Sequence, residues 1–402
     1  MVPSSKRAAV GALASVARRF VMLVRAARWA PLICGALASV VINCSPSTVP
    51  ADSRVDDAAT EVVGVAEAGV DAASGDVVAD VPVLEDASTR PPFNPDHTFD
   101  EIEMMPGEEK LDLCQSWTLN NPEELWVNAV EMSAGPGWHH SNWMYSPQSL
   151  FTGRDGTWRC QDRGFDQAFA AATGGVFFAQ STQSTGETQR FAPGAAFRIP
   201  PYSRIVGSIH LINASAAAAR TSLRFRIHTI AAGEVRTRLR PMAIDNHGID
   251  IAARARSSST MDCDFDAPWQ RARMAPLDFR IHYILPHYHS MATGMQLEVI
   301  GGPSDGRVVF TTSSRVGDPL GMVLATPIDM RGATGLRLRC SYSNTGGTRI
   351  RWGENATDEM CTMLLYTDAT GTMGAVSNMI TSRAPQMDGS TLVTSQCQAF
   401  VL

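Results

Sequence analysis

Aromatic side chains make up only 7% of this 402-residue chain, Cys-x-x-Cys does not occur, and basic charge is in the minority. Each shortage closes off a class. Without Cys-x-x-Cys there is no zinc knuckle and no thioredoxin-type redox pair. Lys+Arg number 34 against 40 Asp+Glu, so the net charge of −6 offers no field to nucleic acid. Apolar periodicity sustained over ten or more residues at helical spacing is also scarce. With 32 Gly and 23 Pro in a chain that is 44% hydrophobic, short strands and frequent turns are predicted.

The first 44 residues carry Lys6, Arg7, Arg18, Arg19, Arg25 and Arg28 and no acid, followed by a mostly apolar run from Trp29 to Cys44. That run is shorter than the roughly 20 residues a spanning helix needs. Basic, apolar and small-residue regions in that order read as an export signal, residues 1–44. Arg18-Arg19-Phe20 is a chance pair rather than a twin-arginine signal. Val41-Ile42-Asn43-Cys44 resembles a bacterial lipoprotein cleavage box with Cys44 as the lipidated residue, so the mature chain is either secreted or lipid-anchored to a membrane at the cell envelope of a bacterium. Residues 45–95 read as an acidic, disordered linker. Positions 45–90 hold ten acids, two arginines and no aromatic residue, too little apolar surface to offset the entropy of ordering.

Six of the eight cysteines, Cys114, Cys160, Cys263, Cys340, Cys361 and Cys397, lie beyond that linker. In an exported chain they predict three disulfides, among fifteen pairings that spacing alone leaves open. Strand signals dominate the same region. Leu223, Phe225 and Ile227 alternate with polar residues and put His228 on a solvated face. Ile205–Ile212 is a second strand. Asp278–Met291 is a third, in which Phe279, Ile281, Tyr283 and Leu285 share parity with His287 and His289. His282 takes the other parity and is predicted exposed. Gln167–Ala172 is a turn or two of helix. Short strands with frequent turns mean sandwiches or barrels. The Ala-rich stretch 214–220 is the predicted boundary between domains at 96–217 and 218–402.

The chemistry sits in histidines. His287 and His289, one residue apart on a strand, point to one face. His139 and His140 are adjacent, so a shared metal requires a bulge or turn, which Gly135-Pro136-Gly137 can supply. His210 lies near the end of its strand. Met360, in Asp358-Glu359-Met360-Cys361, adds a thioether, a poor ligand for zinc and a good one for copper, above all Cu(I). His97, His228, His247 and His282 lack ligand spacing and are read as structural or surface residues.

Trp138-His139-His140, Val206-Gly207-Ser208-Ile209-His210, His287-Tyr288-His289-Ser290-Met291-Ala292-Thr293-Gly294, and Trp352-Gly353-Glu354 followed by Thr357-Asp358-Glu359-Met360-Cys361 together resemble the copper type II, ascorbate-dependent monooxygenases. This is the family of peptidylglycine α-hydroxylating monooxygenase and dopamine β-monooxygenase. Phe191-Ala192-Pro193-Gly194 is similar to the family as well, and the likeness spans roughly residues 100–400. It implies an all-β fold of two jelly-roll antiparallel β-sandwich domains with one copper in each. His139, His140 and His210 would hold an electron-storing copper. His287, His289 and Met360 would hold the copper that binds and activates O2. The resemblance also implies the pairs Cys114–Cys160, Cys263–Cys397 and Cys340–Cys361. Its partners would be O2, a small-molecule substrate and ascorbate or another one-electron reductant.

The sequence departs from the peptide-amidating members where they contact substrate. An arginine two residues before His-x-His is Leu285 here. An asparagine and a tyrosine after the Met-Cys pair are Thr362 and Leu364. A glutamine two before the lone histidine is Ser208. Without the fixed cation a carboxylate loses its charge-assisted grip, which predicts a less acidic or more apolar substrate. The expectation is therefore an exported dicopper monooxygenase acting on a C–H bond. A non-catalytic copper-binding or storage protein is the alternative, and Met360 together with the lack of a general-base motif speaks against a zinc hydrolase.

Overall fold

The computed structural model describes residues 93–402. The export signal, Cys44 and nearly all of the linker lie outside the described residues. Within them the chain is all-β. The two helices named here are short, and among the described residues none is long and apolar enough to cross a membrane. Gln167–Thr173 is the predicted turn or two of helix, capped by the Asp166 carboxylate, which accepts from the Phe169 amide. The other is Asp266–Arg273.

The first sandwich is built on a five-stranded antiparallel sheet. Glu109–Thr118, Ser203–Ile212 and Trp138–Pro147 form its centre, with Gly156–Arg159 and Gly175–Ala179 at its edges. Leu125–Ala134, Leu223–Ile230, Gly186–Arg190 and Ala195–Ile199 form the opposing layer. Its core gathers Val127, Trp143, Phe177, Phe178, Ile205 and Phe225, all essentially sealed from solvent. His228 lies on the polar side of its strand as predicted, half-buried beside Glu131.

The chain does not change cores at 214–220. Leu223, Phe225, Ile227 and Leu239 all belong to the first core. The crossing comes within Thr237–Asn246, whose first residues pair with Ala195–Ile199 and whose last pair with Met373–Pro385 and Thr362–Thr367. An Ala-rich stretch looked like a linker, but the strand after it carries the alternating apolar face that the first sandwich needs. The second core holds Met242, Ile244, Met261, Phe265, Leu297, Leu338 and Met363 among others. Strand pairing is mainly antiparallel. Thr237–Asn246 runs parallel to two neighbours, and Ala255–Asp264 runs parallel to Thr391–Val401. All three implied disulfides are formed, Cys114–Cys160, Cys263–Cys397 and Cys340–Cys361.

Arg280–His287 touches both cores. Ile281 and Ile284 face the second, whereas Tyr283 and Leu285 face the first. The single parity expected along this segment breaks at His282, where the register shifts against both neighbouring strands. The shift is a bulge, and it also corrects the expectation for His282. Its side chain is only 11% exposed and lies 3.2 Å from Asp368. Beyond the bulge, Leu285 and His287 keep their shared parity.

Gly207 shows how tightly the first sheet is filled. It sits opposite Trp143 in Ser203–Ile212, and a Cβ there would lie 2.4 Å from the buried indole. Gly207→Ala should therefore destabilise the protein by about 1–3 kcal/mol through overpacking, read as a lower denaturant midpoint with an unchanged m-value.

Candidate metal centre

In a regular strand His139 and His140 would face opposite sides. His140 pairs directly with His210, but the next pair joins Trp138 to Leu211. His139 is thus the extra residue of a β-bulge, and the bulge turns both rings to the buried side. Gly137, at φ +82°, supplies the backbone conformation just ahead of it. Ligand atoms of His139, His140 and His210 all lie within 4.8 Å of one another. His210 Nε2 is 2.8 Å from Glu109 Oε1, so a proton there leaves a lone pair on Nδ1. That Nδ1 faces His140 Nε2 at 3.2 Å. Two imidazole nitrogens at such a distance need a proton or a cation between them. Glu354 O lies 3.3 Å from the same His140 Nε2.

His287 ends Arg280–His287, and His289 follows it. His287 Nδ1 donates to Gln180 O at 2.9 Å, and His289 Nδ1 donates to Asp358 O at 3.0 Å. These bonds fix the tautomer and leave a lone pair on each Nε2. Both Nε2 atoms are buried and have no hydrogen-bond partner. A ring held through one nitrogen by a carbonyl, with the other nitrogen free, is the arrangement of a metal-bound histidine. Met360 is buried and lines the same cavity as His287. The backbone around it is anchored by the Cys340–Cys361 bridge and by the Tyr342 hydroxyl, which donates to Met360 O.

The structure brings the two histidine sets together. Ring centroids of His139 and His289 are 5.5 Å apart, those of His140 and His289 5.4 Å, and those of His140 and His287 5.5 Å. The two sets come from different parts of the chain, and the five rings form one cluster. Burial holds every one of them below the usual imidazole range. His139 and His289 are lowered to about 3, by burial first and then by neighbouring histidines. Five neutral imidazoles and one thioether suit a soft or borderline cation such as copper, and Met360 fits zinc, calcium or magnesium poorly.

Two carboxylates that sequence reasoning left without a role shape this centre. Glu359 is fully buried and accepts the amides of His289, Met291 and Met360. It ties the His-x-His segment to the methionine loop, and burial raises it to about 7 despite those amides. Its place beside Met360 was the available signal. Glu187 had none. It is buried, accepts from the Ser181 amide at 2.8 Å, and its other oxygen has no partner, like the buried hydroxyl of nearby Tyr283. It anchors the segment that carries Gln180, the partner of His287, and Gln183, 3.5 Å from His139. Of the remaining histidines, His97 stacks on Trp117, and His247 stacks on Trp352 while pairing with Asp245.

No protein-family model matches the chain, and no curated protein matches it. Among solved structures it is similar to the major capsid protein P2 from bacteriophage PM2, at 8% identity and a TM-score of 0.29, over 68% of this chain and 97% of that one. PBCV-1 VP54 is similar at 9% identity and a TM-score of 0.23, over 69% of this chain and 94% of that one. PNGF-II is similar at 8% identity and 0.24, over 66% and 65%. At these scores the likeness carries neither an activity nor a partner to this chain.

Glu187 gives a pH signature. Burial raises its carboxyl to about 7 from an unfolded value of 4.5. A raised acid favours the folded state fully below 4.5, and that contribution is lost as pH climbs from 4.5 through about 7. Glu187→Gln removes the loss. The variant should match the parent near pH 4 and exceed it at pH 8 by on the order of 1–3 kcal/mol, measured as paired denaturant midpoints across that range.

Proposed function

We propose that this chain is an exported copper monooxygenase of the ascorbate-dependent, copper type II kind, either secreted or anchored through Cys44. The observation that carries this reading is the pair of unpartnered, buried Nε2 atoms of His287 and His289, with His287 and Met360 lining one cavity. His139, His140 and His210 would hold one copper ion, and His287, His289 and Met360 a second. When bound, copper would supply one-electron redox chemistry and O2 activation, which the side chains of this site cannot provide.

The reaction breaks one substrate C–H bond and forms one C–O bond. The second oxygen atom leaves as water, with two electrons from a one-electron reductant such as ascorbate and two protons. The chain's own part is positional. Gln180 O and Asp358 O orient the rings of His287 and His289, and Glu109 orients His210. Burial keeps all five imidazoles neutral, hence able to bind a cation without first releasing a proton. It also keeps bulk water from the reacting carbon.

Copper titration of the metal-free protein, followed by O2 electrode measurements with ascorbate and a substrate panel, tests this directly. Two copper ions per chain and O2 uptake dependent on both ascorbate and substrate are expected. Met360→Ile should retain the His139/His140/His210 ion and lower uptake at least tenfold. Full copper loading with no uptake over the panel would make the protein a copper store. Loss of both ions in Met360→Ile, or a single ion shared by all five histidines, would sink the two-site assignment.

A further inference from the structure

Beside His287 and Met360 lies a cavity of about 120 Å³. Its mainly apolar wall comes from both sandwiches, Met144, Val176 and Ala179 from the first and Ala243, Leu285 and Leu364 from later strands, with Asn142, Gln167 and Thr362 as its uncharged polar members. No lysine or arginine lines it. Besides His287, its one titratable side chain is Asp245, which accepts from the Thr362 hydroxyl at 2.8 Å and pairs with His247 at 2.7 Å. In the copper-free chain an anion entering here would meet a carboxylate and no cation, and would lose its hydration with only the neutral amides of Asn142 and Gln167 to replace it. An apolar molecule would lose only water. For scale, an apolar cavity of about 150 Å³ in another protein stays dry and takes up benzene.

We infer that this cavity receives a compact, uncharged, hydrocarbon-like molecule of about six non-hydrogen atoms, and that in the copper-free chain it excludes carboxylates. Binding of such a molecule rests on the predominance of apolar surface in the wall. Its role as the substrate whose C–H bond is hydroxylated rests on the monooxygenase reading. Leu285 and Leu364 are then the specificity-determining residues. They present side-chain carbon where a charged or hydroxylated side chain would recognise a polar group.

Two of the 18 methionines, Met144 and Met360, stand in the wall, so their methyl groups report on occupancy. The full chain, copper-free and labelled with [¹³C-methyl]methionine, is titrated with benzene and separately with sodium benzoate. The two resonances are assigned from Met144→Leu and Met360→Ile. Benzene should shift both in a saturable manner while the exposed Met274 and Met387 stay unmoved. Benzoate at equal concentration should shift neither. Leu364→Trp, which fills the space, should weaken benzene binding at least tenfold, and the wild-type comparison stands if that variant does not fold. No response to benzene, or an equal response to benzoate, overturns the inference. Copper loading and O2 uptake without a benzene response would overturn the pocket and leave the metal centre standing. A benzene response in a chain that binds no copper would do the reverse.

Discussion

The contact between the two sandwiches along Arg280–His287 is the interaction on which the centre depends. That strand is buried on both faces, giving Ile281 and Ile284 to one core and Tyr283 and Leu285 to the other. Around it Phe191 lies 4.7 Å from Tyr366 and 5.2 Å from Tyr283, and Phe197 lies 5.7 Å from Tyr366. Aromatic pairs of this kind contribute about 0.5–1.5 kcal/mol each beyond the area they bury. Several of them at one junction are substantial beside a net stability of about 5–15 kcal/mol for a folded domain. Phe191, noticed in the sequence as part of Phe191-Ala192-Pro193-Gly194, thus acts at the junction and not at a ligand. Because the junction is filled, the histidines of the two halves meet at ring distances near 5.5 Å.

That proximity sets the electrostatics. Five imidazoles share a buried space, so protonating any of them is opposed by lost hydration, and at His139, His140 and His289 by neighbouring imidazoles as well. The physical cause, burial first, is the same for His139 and His289, both lowered to about 3, and for His140, which is pushed well below the usual range. A cluster held neutral this way keeps its lone pairs for something other than protons. The outer partners enforce the choice, since backbone carbonyls occupy the Nδ1 atoms of His287 and His289 and leave each Nε2 without a partner. Buried polar atoms without partners carry a cost of about 1–3 kcal/mol each, which a bound cation would relieve.

Much of this was legible from residue order. The all-β class followed from turn residues and short alternating runs, and the solvated face of His228 from simple parity. The His139/His140 pair was readable as a ligand pair only if a bulge intervened, and the offset between His140–His210 and Trp138–Leu211 is that bulge. The disulfide pairing was not readable from spacing and came only with the family resemblance. Parity failed at His282, because a bulge there reverses which face each later residue takes. Composition failed at 214–220, because alanine content reports flexibility poorly when the next strand supplies a core face. Glu187 was invisible, since an acid in an alternating strand looks like any solvated acid until tertiary packing closes over it.

The histidine–methionine cluster and the cavity wall are held by different means. His287, His289 and Met360 are fixed by backbone carbonyls, by the Glu359 carboxylate and by the Cys340–Cys361 bridge. None of these partners is a side chain of the apolar cavity wall. Leu285 and Leu364 pair across neighbouring strands, and both belong to the first core. Their backbone hydrogen bonds are indifferent to the side chain they carry. A change at either position alters the polarity and size of the cavity without touching a ligand's anchor. The polarity and size of the cavity can therefore change by side-chain replacement alone, while the bulge at His139, the carbonyl partners and the junction aromatics hold the arrangement of the histidines constant.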